Sequence, residues 1–225
     1  MIGNTIHSIK SRVRADLVRR YVGIPVANVS DCMSRMMAGG ARLRPMHSGG
    51  YLAGPAFTVK TRPGDNLLVH RALDLAQAGD VLVIDAGGDL TNAVIGEIML
   101  TYAQKRGIAG VIVNGAIRDA SAIRAGQYPV FAAGVTHRGP YKSGPGEIGG
   151  EVAVDGMVIA PGDLMIGDDD GVLCVPKDMA SELFDAASAK KSAEDRILSQ
   201  LRADEPIDRS WVTSALQAAG VVDEN

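Results

Sequence analysis

The sequence predicts a layered α/β domain, in which a mixed sheet packs on further β structure and on helices, and three observations carry that reading. First, DVLVIDA (80–86) and IAGVIVNG (108–115) are continuous apolar runs, as expected of strands covered on both faces in parallel βαβ units. Second, these runs alternate with amphipathic helical segments, DNLLVHRALDLAQ (65–77) and TNAVIGEIMLTYAQKRG (91–107), the latter closed by Gly107. Third, the pattern changes after Pro129-Val130-Phe131. Residues 132–150 hold six of the chain's 27 glycines, and residues 151–175 read as several short strands joined by tight turns.

In chain order, residues 5–22 and 29–37 read as short helices, the second with Ser30 or Asp31 as its N-cap. Gly39, Gly40, Gly49, Gly50 and Gly54 then form a glycine-rich connection into the strand AFTVKT (56–61). After the βα region and the short strands, residues 178–201 form a long polar helix, and a last helix lies around 208–219. We read residues 1–225 as one domain with a core of about 20–176 and C-terminal helices at about 178–219. Only about three βα units can be drawn, which excludes a βα barrel. No strand-GxGxxG-helix unit for a dinucleotide is present either.

Composition narrows the function. With 225 residues and 46% hydrophobic content the chain can bury a full core. Its 23 basic and 26 acidic residues, without a long basic run, argue against nucleic acid or anionic membrane as a partner. Cys32 and Cys174 are isolated thiols, so a reducing compartment is the simpler setting. The N-terminal stretch lacks the apolar core of a signal peptide, and no segment approaches the roughly 20 apolar residues of a membrane span. We expect a cytoplasmic protein.

His7, His47, His70 and His137 form no HxH or HxxxH pair, so each reads as a surface or core histidine. There is no GxSxG elbow. Any divalent ion would be held by oxygens, favouring Mg²⁺ or Mn²⁺ over Zn²⁺. Three segments supply such groups. In DAGGDLTNAVIGEIM (85–99) a strand passes through a Gly-Gly turn to a helix holding Gly96 and Glu97. A glycine there costs about 1 kcal/mol and so needs a reason, either helix packing or the close approach of a backbone or ligand. In VIVNGAIRDASAI (111–123), Arg118 and Asp119 follow a buried strand, where open α/β sheets place ligands. Arg118 can take a carboxylate in two parallel hydrogen bonds and Asp119 can hold a cation; a helix cap or a plain ion pair stays open. The three aspartates of IGDDDGVLCVP (166–176) read as a solvated hairpin turn.

Together these segments resemble the family of 4-hydroxy-4-methyl-2-oxoglutarate/4-carboxy-4-hydroxy-2-oxoadipate aldolases and RraA-type regulators of ribonuclease E. RPGDNLLVHRAL, DVLVIDAGG, GEIM, VNGAIRD and GDDDGVLCVP fall in that family's order, and Glu97 precedes Arg118 by its interval of twenty intervening residues. The resemblance implies a three-layer β/β/α sandwich of the swivelling-domain type, assembled as homotrimers or homohexamers with sites between subunits. It also implies a metal-dependent pyruvate aldolase with oxaloacetate decarboxylase side activity. Arg118 would bind the pyruvyl carboxylate, Asp119 would hold Mg²⁺ or Mn²⁺, and Glu97 would orient water around that ion. The Ile98 and Met99 amides, beside Gly96, would bind the pyruvyl group, and Glu194 of a neighbouring subunit would complete the metal environment. The chain departs from the pattern at Glu97, where characterised aldolases carry Asp, at Asn114, often Asp, and at Ala122, acidic in some members. A non-catalytic regulator of ribonuclease E, or a lyase for another 2-oxo acid, is the alternative.

Overall fold

The computed structural model describes residues 4–36 and 39–221. The chain divides into two compact units, Met1–Ala187 and Ser188–Asn225. The first begins with β1 (Asn4–Ile6), α1 (Ala15–Tyr21), α2 (Val26–Cys32) and β2 (Arg44–Pro45). The βα region follows as β3 (Leu52–Thr61), α3 (Leu67–Leu75), β4 (Val81–Asp85), β5 (Ala93–Ile95), α4 (Glu97–Lys105), β6 (Gly110–Ile117), α5 (Ala120–Arg124) and β7 (Val130–Val135). Then come β8 (Gly146–Ile148), β9 (Val152–Val154), β10 (Met157–Ile159), β11 (Leu164–Asp168) and β12 (Gly171–Val175). Last are α6 (Ala180–Arg202) and, within the second unit, α7 (Ser210–Ala218).

The main sheet runs β1-β8-β3-β4-β6-β7-β2. Strands β3, β4, β6 and β7 are mutually parallel, so their C-terminal ends share one edge of the sheet. Strand β3 is long enough to belong to two sheets: Leu52–Pro55 pairs with β11, and Ala56–Lys60 pairs with β4. Strands β9 and β10 form a separate antiparallel hairpin.

Side-chain alternation along the strands builds three apolar interfaces. Leu82 and Ile84 of β4 and Val111 and Val113 of β6 face helices α3 and α4, meeting Leu73, Leu100 and Ala103. Val81, Val83, Ile112 and Phe131 point the other way, onto Val154, Met157, Met165 and Cys174. Leu164, Ile166, Leu173 and Val175, on the outer face of the β11-β12 hairpin, pack on Leu17, Tyr21, Val29 and Leu183. The result is the β/β/α arrangement, with N-terminal helices and the start of α6 covering the outer β face. Tyr21, fully buried, ties that cover down by donating its hydroxyl to the Ala180 carbonyl at 2.7 Å. Tyr21→Phe removes that hydrogen bond and is expected to cost about 1 kcal/mol, read from the urea midpoint at unchanged m-value.

Three segments differ from the sequence reading. Residues 5–22 are not one helix. Asn4–Ile6 pairs in parallel with β8, and the following stretch is held extended by Val13 N–H to Gly162 O (2.8 Å) and by the Arg12 guanidinium on buried Asp80 (2.8 and 3.1 Å). Only Ala15–Tyr21 is helical. The second helix starts at Val26, behind Pro25, whose fixed φ suits a helix start; Ser30 and Asp31 therefore sit inside it rather than at its cap. Residue 37 of that reading lies outside the described residues. Finally, 91–107 is not wholly helical. Ala93–Ile95 is a strand pairing with Ala116 and Ile117, and the helix begins at Glu97. Cross-strand pairing has overridden local propensity there.

Candidate active site

Strand β6 continues past Asn114-Gly115 to Ile117, shifting register against β7 between Val113 and Ala116. Arg118 follows, its N–H bonded to the Ile95 carbonyl at 3.1 Å. The chain then turns sharply, because Asp119 adopts φ 60°, ψ 35° as the residue before α5. Left-handed backbone at a non-glycine residue is uncommon and, at a strand end facing solvent, marks a side chain held in a set direction. That direction is toward α4: Asp119 Oδ2 accepts the Glu97 N–H at 2.9 Å and lies 3.5 Å from Arg118 Nε. A carboxylate at a helix N-terminus gains from the helix dipole. The cap and the ion pair are both present in the same pair of side chains.

Gly96 now has its reason. It stands just before α4, at φ −150°, ψ −171°, where any residue is allowed. A Cβ on it would run into Asp119 Oδ2 and lie 2.8 Å from Arg118 Cγ and 3.0 Å from Arg118 Nε. The glycine makes room for both side chains rather than for a helix contact.

Arg118, Gly96, Ile98 and Met99 line one cavity of about 200 Å³, together with Ala93, Val94, Ile95, Asn66, His70, Pro140 and Lys142. The Ile98 and Met99 amides belong to the first turn of α4 and have no acceptor within the helix, so donors are turned toward this end. No carboxylate lines the cavity, whereas an arginine, a lysine and a histidine do. Arg118 also faces an adjoining open cleft that holds Asp119, Thr136 and His137. Glu97 offers its backbone to Asp119, but its side chain lines a different groove, beside Leu100, Gln104 and Ala122. Glu194 lies on α6 in the second unit and pairs with Lys190 at 3.3 Å. Sequence reading, aided by the family resemblance for Ile98 and Met99, thus named Gly96, Ile98, Met99, Arg118 and Asp119, which are neighbours in the fold. It missed Asn66, His70, Lys142 and His137, which no local motif marks.

Among the described residues, no group of three or more His, Cys, Asp or Glu could hold a metal ion. Asp119 Oδ1 is without a hydrogen-bond partner among them, since the amide and the guanidinium both address Oδ2. One free carboxylate oxygen at an open cleft fits Mg²⁺ or Mn²⁺, which keep several waters and take one or two carboxylates, and does not fit Zn²⁺. No helix is long and apolar enough to cross a membrane among the described residues.

Comparison with known proteins finds relatives in both sequence and fold. The profile of the RraA-like family, described as Aldolase/RraA, matches residues 26–174. A protein of Halalkalibacterium halodurans named "Putative 4-hydroxy-4-methyl-2-oxoglutarate aldolase" is 38% identical over 185 residues, covering 82% of this chain and 88% of that one. Among solved structures, an uncharacterized protein from Pseudomonas syringae pv. tomato aligns with a TM-score of 0.78 at 26% identity, covering 87% of this chain and 96% of its own. RraAS2 of Streptomyces coelicolor, described as an unusual member of the RNase ES inhibitor RraA protein family, aligns at 0.73 with 29% identity, covering 82% and 96%. The matched segment holds the sheet apart from β1, together with α4 and the Arg118-Asp119 turn, and on these grounds the chain belongs to the RraA-like family.

Proposed function

We propose that this protein is a divalent-metal-dependent lyase that releases pyruvate from 4-hydroxy-2-oxo acids such as 4-hydroxy-4-methyl-2-oxoglutarate, with decarboxylation of oxaloacetate as a second activity. The observation that carries the reading is the placement of Arg118 and Asp119. A guanidinium lines a cavity free of acidic groups while the adjacent carboxylate keeps one oxygen open in the adjoining cleft. Arg118 takes the substrate's C1 carboxylate in paired hydrogen bonds. The Ile98 and Met99 amides, at the positive end of α4, favour negative charge on the pyruvyl oxygens. Asp119 would hold the cation, with Glu194 of a neighbouring copy contributing in a homotrimer or homohexamer. When bound, the cation supplies Lewis-acid stabilisation of the charge that develops on the 2-oxo group.

The reaction balances without a Schiff base. A water in the cleft beside Asp119 takes the proton of the 4-hydroxyl and later returns it, the C3–C4 bond breaks to leave a carbonyl compound, and the electron pair passes into the pyruvyl enolate. Protonation at C3 then gives pyruvate. Loss of CO₂ from oxaloacetate produces the same enolate, which accounts for both activities at one site.

The test is a lactate-dehydrogenase-coupled assay for pyruvate with both substrates. Release is expected with Mg²⁺ or Mn²⁺, to vanish with EDTA, and to return when the metal is restored. No metal-dependent pyruvate from either substrate rules the reading out. The likeness to RraAS2 favours a second reading, a protein-binding regulator of ribonuclease E. Retention of both Arg118 and Asp119 weighs against it, since a regulator has no need of a cation-holding carboxylate. Co-purification with an RNase E-like protein, without metal-dependent turnover, is its signature.

A further inference from the structure

Strand β6 changes its neighbour midway, and the change falls at a residue the reaction above leaves unused. As far as Asn114 the strand on one side is β4, whose last paired residue is Asp85. From Ala116 that place is taken by β5, through the pairs Ala93–Ala116 and Ile95–Ile117, while β7 lies on the other side throughout. Against β7, β6 advances three residues, Val113 to Ala116, where β7 advances two, Ala132 to Gly134. That is a bulge of one extra residue. Because side chains alternate with a period of two, the bulge decides which face every later side chain of β6 takes, and with it the direction in which Arg118 leaves the strand.

Asn114 pins the bulge. Its carbonyl accepts the N–H groups of Ala86 (3.2 Å) and Gly88 (2.9 Å). Its Nδ2 donates to Asp85 Oδ1 at 3.0 Å, the same oxygen that accepts the Gly87 N–H at 3.0 Å. Gly87 and Gly88 take φ of 67° and 71°, so the turn winds tightly around this one residue. The turn leads on to β5, whose Ile95 carbonyl accepts the Arg118 N–H at 3.1 Å, and then to α4. The separation between Arg118 and the first-turn amides of α4 is therefore set at the root of the 86–92 excursion.

Asn114 is 7% exposed and lines neither the Arg118 cavity nor the adjoining cleft. Its Oδ1 is buried without a hydrogen-bond partner among the described residues. An unpaired buried acceptor works against folding, and an apolar side chain of similar size would avoid that cost. Stability alone does not account for an amide here; the bond from its other end to Asp85 does.

We propose, resting on the pyruvyl-site reading of Arg118, that Asn114 is a positioning residue for the reaction: through Asp85 and the 86–88 turn it locks the bulge that aims Arg118 into the cavity at the start of α4.

Two measurements on full-length Asn114→Ala, made well below its melting midpoint, test this: amide hydrogen exchange, and calorimetric titration with pyruvate and Mg²⁺. Exchange is expected to rise about tenfold or more in 93–97 and 115–119 while β11 and β12 keep the parent's protection, and pyruvate affinity to fall about tenfold. Asn114→Asp is the conservative arm. At about pH 5 a proton shared between residues 85 and 114 replaces the amide donor; at higher pH it is lost and two carboxylates face each other. The charged groups on neighbouring elements are Lys60, in register beside Asp85, Arg42, bonded to the Gly88 carbonyl, and Asp155, which accepts the Arg42 N–H. Affinity of Asn114→Asp relative to the parent should be near one at about pH 5 and fall about tenfold by about pH 8. A purely structural role lowers the melting midpoint and leaves pyruvate affinity and its pH ratio unmoved, and that result overturns the proposal. So does unchanged exchange in 93–97 and 115–119. Faster exchange there, with no pyruvate bound by the parent at millimolar concentration, keeps Asn114 as the anchor of the Arg118 turn and removes the pyruvyl reading. Pyruvate bound equally well by the parent and Asn114→Ala does the reverse.

Discussion

Asp119→Asn is expected to lower metal-dependent pyruvate release by about 10³-fold while leaving the fold intact. Asparagine tolerates the left-handed backbone at φ 60°, and its amide oxygen can still accept the Glu97 N–H. What it removes is the negative charge, and with it the attraction for a divalent ion and the partner of Arg118. The loss should appear in the coupled assay at saturating Mg²⁺, with the thermal midpoint within about 2–4 °C of the parent. Asp119→Ala is a poorer probe, since it also deletes the cap of α4 and strains the turn, at about 1 kcal/mol each. An Asp119→Asn protein with full activity would sink the site assignment.

Gly96→Ala should cost about 10²-fold in kcat/KM for oxaloacetate by a different route. Neither charge nor any reacting group is lost. The added methyl occupies the space of Asp119 Oδ2 and of the Arg118 side chain, and both must swing aside. Because the backbone at Gly96 is extended, the substitution carries no conformational penalty, and the stability cost is that of the displaced Asp119 cap on α4, about 1 kcal/mol. The expected pattern is strongly impaired kinetics with a melting midpoint lowered by only about 2–4 °C. Unchanged kinetics would mean that the relation between Arg118 and Asp119 has no part in the reaction.

Much of this arrangement is readable from the chain itself, for identifiable reasons. Strands β4 and β6 announce themselves because burial on both faces demands unbroken Val and Ile runs. The hairpin of β11 and β12 is marked by its Asp-Gly turn, where Asp168 pairs with Gly171 across the strands. Arg118 and Asp119 stand out because their distance in sequence from Glu97 survives as contact in space. What the chain conceals depends on partners far away. Asn4–Ile6 becomes a strand only because Gly146–Ile148 lies alongside, and Ala93–Ile95 only because Ala116 and Ile117 do. The same holds for the cavity. Asn66 and Lys142 meet through the Asp65 hydrogen bonds, and nothing local to either residue signals the meeting.

Strand β3 bears on how this site can respond to what it binds. Its first residues are stitched to β11 and its later ones to β4, so one continuous backbone is a member of both sheets. Neither sheet can slide or open without dragging the other, and the apolar layer between them, filled by Val81, Ile112, Phe131 and Met165, resists compression. The floor beneath Arg118 therefore behaves as an anvil rather than a hinge. Adjustment to what binds falls instead to the rim, to Lys142, His70 and the first turn of α4.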